Sequence, residues 1–202
     1  NRPLTAAERI ERQRQIQSAA QARAAEQSKV QASARDRVAR LLRGARPATD
    51  DHPYLQRKRV HAYGISQLRD MLVIPARDAN GTTHTAQFIG PDGVKRFLTG
   101  GRIAGCYYAI GRPVDRLLIA EGYATSATLH EATGDAVAVC FNCGNLEAVA
   151  RSIRAKFPRL RLVVCADNDL ATPGNPGLTK AVAAARAVGA TLAVPKFAEV
   201  HA

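Results

Sequence analysis

From residue 116 onward, apolar runs of strand length alternate with longer stretches of helical texture. Residues 117–120, 136–141, 160–166 and 191–194 are short and apolar, whereas 124–133, 146–157 and 178–188 are rich in helix formers. A β-α-β-α-β-α-β order predicts a parallel sheet, because each connection must cross one face before the next strand can pair in the same direction. Right-handed crossovers then carry the helices onto the sheet faces. The expected fold class is α/β.

Upstream, the periods shorten. Residues 71–75 and 83–89 read as strands joined by Asp78-Ala79-Asn80-Gly81, and Asn-Gly is a strong hairpin signal. Residues 95–98 and 103–110 read as two further strands separated by Thr99-Gly100-Gly101, so a small, mostly antiparallel subdomain is expected before the parallel sheet. Residues 4–43 contain no Gly or Pro and predict a long helix, with Thr5 and Glu8 as a capping box and Gly44 as its stop. Its branched apolar residues (Ile10, Ile16, Val30, Val38, Leu41, Leu42) are too sparse for a coiled coil. The expected organisation is a basic helical arm over 1–46, a small basic β-rich subdomain over 52–113 and the α/β domain over 114–202.

Charge narrows the partner. The chain carries +12, and residues 1–46 hold eleven Lys or Arg against four Asp or Glu, which favours a polyanion, nucleic acid ahead of an anionic membrane. No run approaches the ~20 apolar residues of a spanning helix, so membrane insertion is not expected. Cys106, Cys140, Cys143 and Cys165 fit no dense disulfide framework, and Cys140 with Cys143 has no second pair for zinc, so no zinc is expected and a cytoplasmic setting is. A chain opening on Asn1 rather than Met is expected to be a fragment or a processed form.

The chemistry is expected at the carboxyl ends of the strands, where parallel sheets bind ligands. Glu121 follows the first strand and Asp167 the third. Asp169 lies two residues further on, so in an extended segment it points to the same side as Asp167. A glutamate and an aspartate pair suit Mg²⁺, with Mn²⁺ as the alternative, since these hard ions take carboxylate oxygens and keep waters or phosphates as remaining ligands. One strand-end acid alone reads better as a helix cap; three that converge read better as a site. Around them, Gly122 permits close backbone approach, Asn145 borders the second strand-to-helix loop, and Lys180 stands early in the last helix, where it could meet a phosphate or simply face solvent.

The run Glu121-Gly122-Tyr123-Ala124-Thr125, followed after a helix and a strand by Ala166-Asp167-Asn168-Asp169, resembles the Toprim family of primases, topoisomerases and nucleases. Residues 174–180 (Gly-Asn-Pro-Gly-Leu-Thr-Lys) are similar to primases of plasmids and phages. So are the upstream stretches 52–55, 72–78, 87–89 and 95–98, which resemble the basic domain preceding Toprim there. The resemblance spans about 52–195. It implies a Toprim, Rossmann-like fold and a DNA-directed RNA polymerase that makes short primers on single-stranded DNA from nucleoside triphosphates. It further implies Glu121 as the catalytic acid, Asp167 and Asp169 as Mg²⁺ ligands, and Lys95, Arg96 and Arg102 as guides for template or triphosphate. The setting implied is plasmid or phage replication, or conjugative transfer, with a helicase or relaxase as partner. Two rivals stand beside it: a Toprim nuclease, in which water attacks at the same metal site, and a nucleic-acid-binding or assembly module with weak or no activity. For Lys95 and Arg96, the alternative is a solvated basic strand edge that discourages sheet pairing. A topoisomerase would need a tyrosine nucleophile at the acids; Tyr107, Tyr108 and Tyr123 have apolar neighbours and are expected to pack.

Overall fold

The computed structural model describes residues 5–168 and 172–195. Helix α1 (Ala6–Arg43) starts as the capping signal predicts. The Thr5 N–H donates to Glu8 Oε2 at 2.8 Å, and the Glu8 N–H donates to Thr5 Oγ1 at 3.3 Å. Its buried residues are Ala34 and Val38. Val38 packs with Val73 and Ala86 of the first sheet, and the N-terminal half of the helix extends into solvent with Ile10 and Ile16 exposed.

The first sheet has the order β1 (Arg46–Pro47), β2 (Ser66–Leu68), β3 (Met71–Arg77), β4 (Thr83–Ile89), β5 (Lys95–Phe97), with antiparallel neighbours throughout. The expected hairpin joins β3 to β4. In its loop the Asp78 carboxylate accepts the N–H groups of Asn80 and Thr82, each at 3.0 Å. A short helix absent from the sequence expectation, α2 (Pro53–Lys58), fills the gap between β1 and β2. His52 caps it by accepting the Tyr54 N–H at 3.2 Å, and Pro53 occupies the first turn.

The second sheet contains β6 (Tyr108–Ile110), β7 (Arg116–Ala120), β8 (Ala136–Val139), β9 (Arg161–Cys165) and β10 (Thr191–Ala193), in the order β10-β9-β7-β8-β6. All pairs are parallel except β6 with β8. Helices α4 (Leu146–Lys156) and α5 (Pro176–Val188) cover one face through Leu146, Val149, Ile153, Ala181 and Ala184, against Leu117, Ile119 and Val164. Helix α3 (Tyr123–Thr133) covers part of the other face. The fold is therefore α/β, as the alternation predicts.

One strand differs. Residues 103–110 were expected as a single strand of the first sheet, yet only Tyr108–Ile110 is one, and it pairs with β8 of the second sheet. The run is broken at Gly105, which sits at φ +71 in a turn closed by the Cys106 N–H on Ile103 O at 2.8 Å. The two sheets meet over a shared core in which Tyr54, Leu55, Leu72, Ile74 and Ile89 pack with Tyr108, Ile110, Tyr123 and Phe141. Fully burying each such side chain contributes about 1.5–3 kcal/mol. Tyr123 adds a polar tie across this core: its hydroxyl accepts the Tyr63 N–H at 2.8 Å and donates to His61 O at 2.9 Å. Among the described residues, no helix is long and apolar enough to cross a membrane.

Candidate metal and nucleotide site

Strand β7 ends at Ala120 and β9 at Cys165, so parallel pairing delivers Glu121 and Asp167 to the same edge of the sheet. The backbone holds Glu121 in place: its carbonyl accepts the Phe141 N–H at 2.7 Å, and the Ala120 carbonyl accepts the Cys140 N–H at 2.8 Å. Phe141 makes that contact from φ +72, a left-handed conformation unfavourable for an aromatic residue, and stacks edge-on against Phe97 at 5.6 Å between centroids. This outlier stands beside the two candidate acids, and strained backbone of this kind clusters at active sites and ligand clamps.

The first turn of α5 packs directly onto the two acids. A Cβ added at Gly177 would lie 2.6 Å from the Asp167 carbonyl oxygen, 3.2 Å from Glu121 Oε1 and 3.3 Å from Asp167 Cβ. Both residues thus crowd this glycine, Glu121 through a carboxylate oxygen and Asp167 through its carbonyl and Cβ. Asn175, the N-cap of α5, donates through Nδ2 to Asn168 Oδ1 at 2.7 Å and accepts the Leu178 N–H, which ties the helix to the segment carrying Asp167. Nothing in the Ala166-Asp167-Asn168-Asp169 run itself signals this tie of Asn168 to α5.

Electrostatics mark the same place. Burial and the charge of Asp167 push Glu121 up to about 7, with the Cys143 backbone N–H and Lys95 working in the opposite direction. Burial raises Asp167 as well, and Lys95 lowers it. The charge of Asp167 thus bears directly on Glu121. Glu121 Oε1 is buried with no hydrogen-bond partner. A buried, unpartnered carboxylate oxygen beside a second carboxylate is a hard anionic donor set, and Mg²⁺ fits it. Glu121 and Asp167 would hold that ion. Asp169, the third expected ligand, lies outside the described residues.

The basic candidates separate. Lys95 reaches the acids from β5 of the first sheet, and its Nζ lies 3.7 Å from where a Cβ on Gly122 would stand. Although the residue as a whole is exposed, loss of solvation lowers its pKa most and the nearby Lys58 adds to this, while Asp167 and Glu121 oppose both. Lys58, at the end of α2, is therefore a cation near the site that the sequence reading missed; α2 had given no signal of its own. Arg96 follows Lys95 on β5, so its side chain takes the opposite face of the strand. Arg102 is turned away from the acids. Its guanidinium binds Asp78 Oδ2 at 3.2 Å and meets His84 Nε2 at 2.7 Å, beside the β3–β4 loop. Gly122 is the N-cap of α3 at φ −96, and a Cβ there would make ordinary contacts only. Lys180 is exposed on α5.

Asn145 is not positioned to read a ligand. It is buried, with Nδ2 donating to Cys106 O at 2.9 Å and Cys140 O at 3.0 Å, and Oδ1 accepting the Gly105 N–H at 2.8 Å. Its amide is spent on holding the turn before β6 to the end of β8, and no side-chain bond caps α4.

Residues 116–199 match the Toprim domain family. The chain is 40% identical over 207 aligned residues to a DNA primase TraC of Escherichia coli, covering 96% of this chain and 20% of that protein. A second DNA primase TraC of Escherichia coli is 41% identical over 188 residues, covering 87% of this chain and 13% of that protein. The chain thus spans a fifth or less of the length of these curated relatives. The primase fragment of the bacteriophage T7 primase-helicase protein superposes with a TM-score of 0.54 at 13% identity, over 76% of this chain and 66% of that one, a likeness of fold alone. Glu121 and Asp167 stand at the strand ends of the matched region, and the chain carries a Toprim domain of the plasmid-primase type.

Proposed function

We propose that this chain is the catalytic core segment of a DNA primase that makes short RNA primers on single-stranded DNA during plasmid or phage replication or conjugative transfer. The observation that carries the reading is that Glu121 and Asp167 lie against the same glycine of α5, close enough for the charge of Asp167 to act on Glu121, with Lys95 beside them from the other sheet. Identity of about 40% to DNA primases TraC over most of the chain supports it.

Mg²⁺, or Mn²⁺ in its place, would supply positive charge to the phosphate oxygens that gain charge as a nucleotide is transferred. The chain's own residues prepare for this. Asp167 and Glu121, with Asp169 as the further expected ligand, bind the ion through carboxylate oxygens. The Cys143 N–H orients Glu121. Lys95 supplies a fixed cation for the triphosphate, and its stem comes from a strand edge rather than a loop, which limits the ordering required on binding. Arg96, on the opposite face of β5, is assigned to the template side; Gly122 and Lys180 stay as secondary nucleotide contacts.

The proposed partners are a single-stranded DNA template, nucleoside triphosphates and a helicase or relaxase, in the cytoplasm. The assembly-module reading draws on one observation, the solvent-exposed basic helix α1. Both are tested together by incubating the chain with labelled ribonucleotides, single-stranded DNA and Mg²⁺. Template-dependent incorporation that is lost in Asp167→Asn supports the primase core. Binding of DNA with no incorporation by the chain or by a longer form of the protein sinks it in favour of the assembly module, and cutting of the DNA favours the nuclease.

A further inference from the structure

At the end of the second sheet opposite the acids lies an arginine cluster that the site above does not use. A cavity of about 470 Å³ is lined by Arg116, Arg154, Arg159 and Arg161 together with Leu160 and Thr191. Arg116 and Arg161 are the first residues of β7 and β9 and are register partners, so their side chains leave the same face of the sheet side by side. Like charges directly opposite each other on neighbouring strands are destabilising. Among the described residues a carboxylate offsets this at Arg116, through Asp135 at 2.5 Å. Among the described residues Arg159 and Arg161 form no ion pair, and both are exposed.

The cluster is braced rather than loose. Arg154 donates through NH1 to Pro158 O at 3.0 Å and to Leu160 O at 2.7 Å, and through Nε to Val188 O at 3.1 Å. Those bonds clamp the turn that presents Arg159 and leads into Arg161. The backbone that carries Arg159 and Arg161 is thereby held in place, and guanidinium groups match phosphate oxygens through paired N–H donors.

We propose that Arg116, Arg159 and Arg161 form a second nucleic-acid contact, holding the backbone phosphates of a single strand at the end of the sheet away from Glu121 and Asp167. The proposal rests on the nucleic-acid part of the primase reading and not on the chemistry at the acids. Three features favour a phosphate backbone over an acidic protein surface. The donors are spread over two strands and a turn, as a track of separate phosphates requires. The cavity lining holds no aromatic side chain to anchor a protein partner. The chain as a whole carries +12. With β7 about 17 Å long at ~3.3 Å per residue, a strand bound here and at the acids would pass along the sheet over several nucleotides.

The test uses the full chain, a fluorescent oligothymidylate and a salt titration of binding anisotropy. Arg159→Gln/Arg161→Gln removes two exposed side chains and leaves the Arg154 clamp and the Arg116–Asp135 pair intact. The slope of log affinity against log salt should flatten by about 1.4, two phosphates at about 0.7 each, with binding about 25-fold weaker at 0.1 M salt. Arg159→Lys/Arg161→Lys should retain most of the affinity, and Arg9→Gln/Arg12→Gln, with the same charge loss on exposed α1, should weaken binding far less. Equal losses in the cluster and α1 pairs would show that net charge alone acts and overturn the proposal. An unchanged slope, or no binding by the unaltered chain, would overturn it too. So would displacement of nothing by oligothymidylate but release of the cluster's effect by polyglutamate, which points to an acidic protein partner. The Mg²⁺-dependent thermal shift should be the same in the cluster variant as in the unaltered chain; no incorporation by the chain or by a longer form of the protein, together with the expected slope change, would fail the primase reading and keep this one.

Discussion

Replacing Glu121 by glutamine should stabilise the metal-free protein at alkaline pH while removing its response to Mg²⁺. The glutamine keeps the shape of the side chain and an oxygen for the Cys143 N–H, but carries no charge next to Asp167. Burial and Asp167 raise Glu121 from the ordinary 4.5 to about 7. Below pH 4.5 both the folded and the unfolded chain hold the proton, so the residue has no differential effect. Between 4.5 and 7 the folded chain keeps a proton that the unfolded chain has released, and stability falls as pH rises; above 7 the deficit is complete. A displacement of that size equals about 3 kcal/mol for a wholly enclosed group. Glu121 keeps partial exposure, so screening brings the working figure to about 1–2 kcal/mol. For a chain of this length that is a rise in Tm of roughly 3–6 °C at pH 8.5 and none at pH 4. Differential scanning calorimetry at the two pH values, with and without Mg²⁺, is the assay. A variant that melts below the unaltered chain at pH 8.5, or that gains as much from Mg²⁺ as the unaltered chain does, refutes the account of Glu121 as a destabilised ligand awaiting a cation.

Three further outcomes are expected. Gly177→Ala would force a Cβ to 2.6 Å from the Asp167 carbonyl, which overpacking makes about 1–3 kcal/mol unfavourable against a helix-propensity gain of up to ~1. Lower Tm with weaker Mg²⁺ binding is the result to look for, and a more stable variant with unchanged Mg²⁺ affinity would show that α5 does not press on the acids. Asn145→Leu leaves the Gly105 N–H and the Cys106 and Cys140 carbonyls without their partner, so urea denaturation should register a loss of roughly 2–4 kcal/mol; a loss under 1 kcal/mol would contradict the bracing role. Lys95→Ala should weaken triphosphate binding about tenfold in calorimetric titration, whereas Arg96→Ala on the opposite face should not, and equal effects from the two would remove Lys95 from the site.

What could be read in the chain beforehand was whatever depends on local pattern. Apolar runs alternating with helical stretches led to the α/β class and the parallel sheet, though not to its strand order. The strand-end position of Glu121 and Asp167 followed from where those runs stop. Features requiring a distant partner were hidden. Asn145 sits in a loop that looks like a ligand loop, and only the fold reveals that its amide is occupied by residues from the 105–106 turn. Arg102 looked like a free cation until the hairpin brought Asp78 and His84 to it. Lys58 became relevant because the end of α2 lies beside Lys95, where β5 begins, and the positive φ of Phe141 has no sequence signature at all.

The antiparallel strand β6 also bears on how this chain can be cut. It closes the free edge of β8 by pairing Tyr108 with Val139 and Ile110 with Val137, although it precedes the first parallel strand in sequence. A fragment beginning at Val114 would bare the N–H and C=O groups of an entirely apolar strand, Ala136–Val139, to solvent. Such an edge is a template for pairing with other molecules. A piece that keeps residues 52–113 retains the strand, the Asn145 brace and the core shared by the two sheets, and should remain monomeric at concentrations where the shorter piece aggregates.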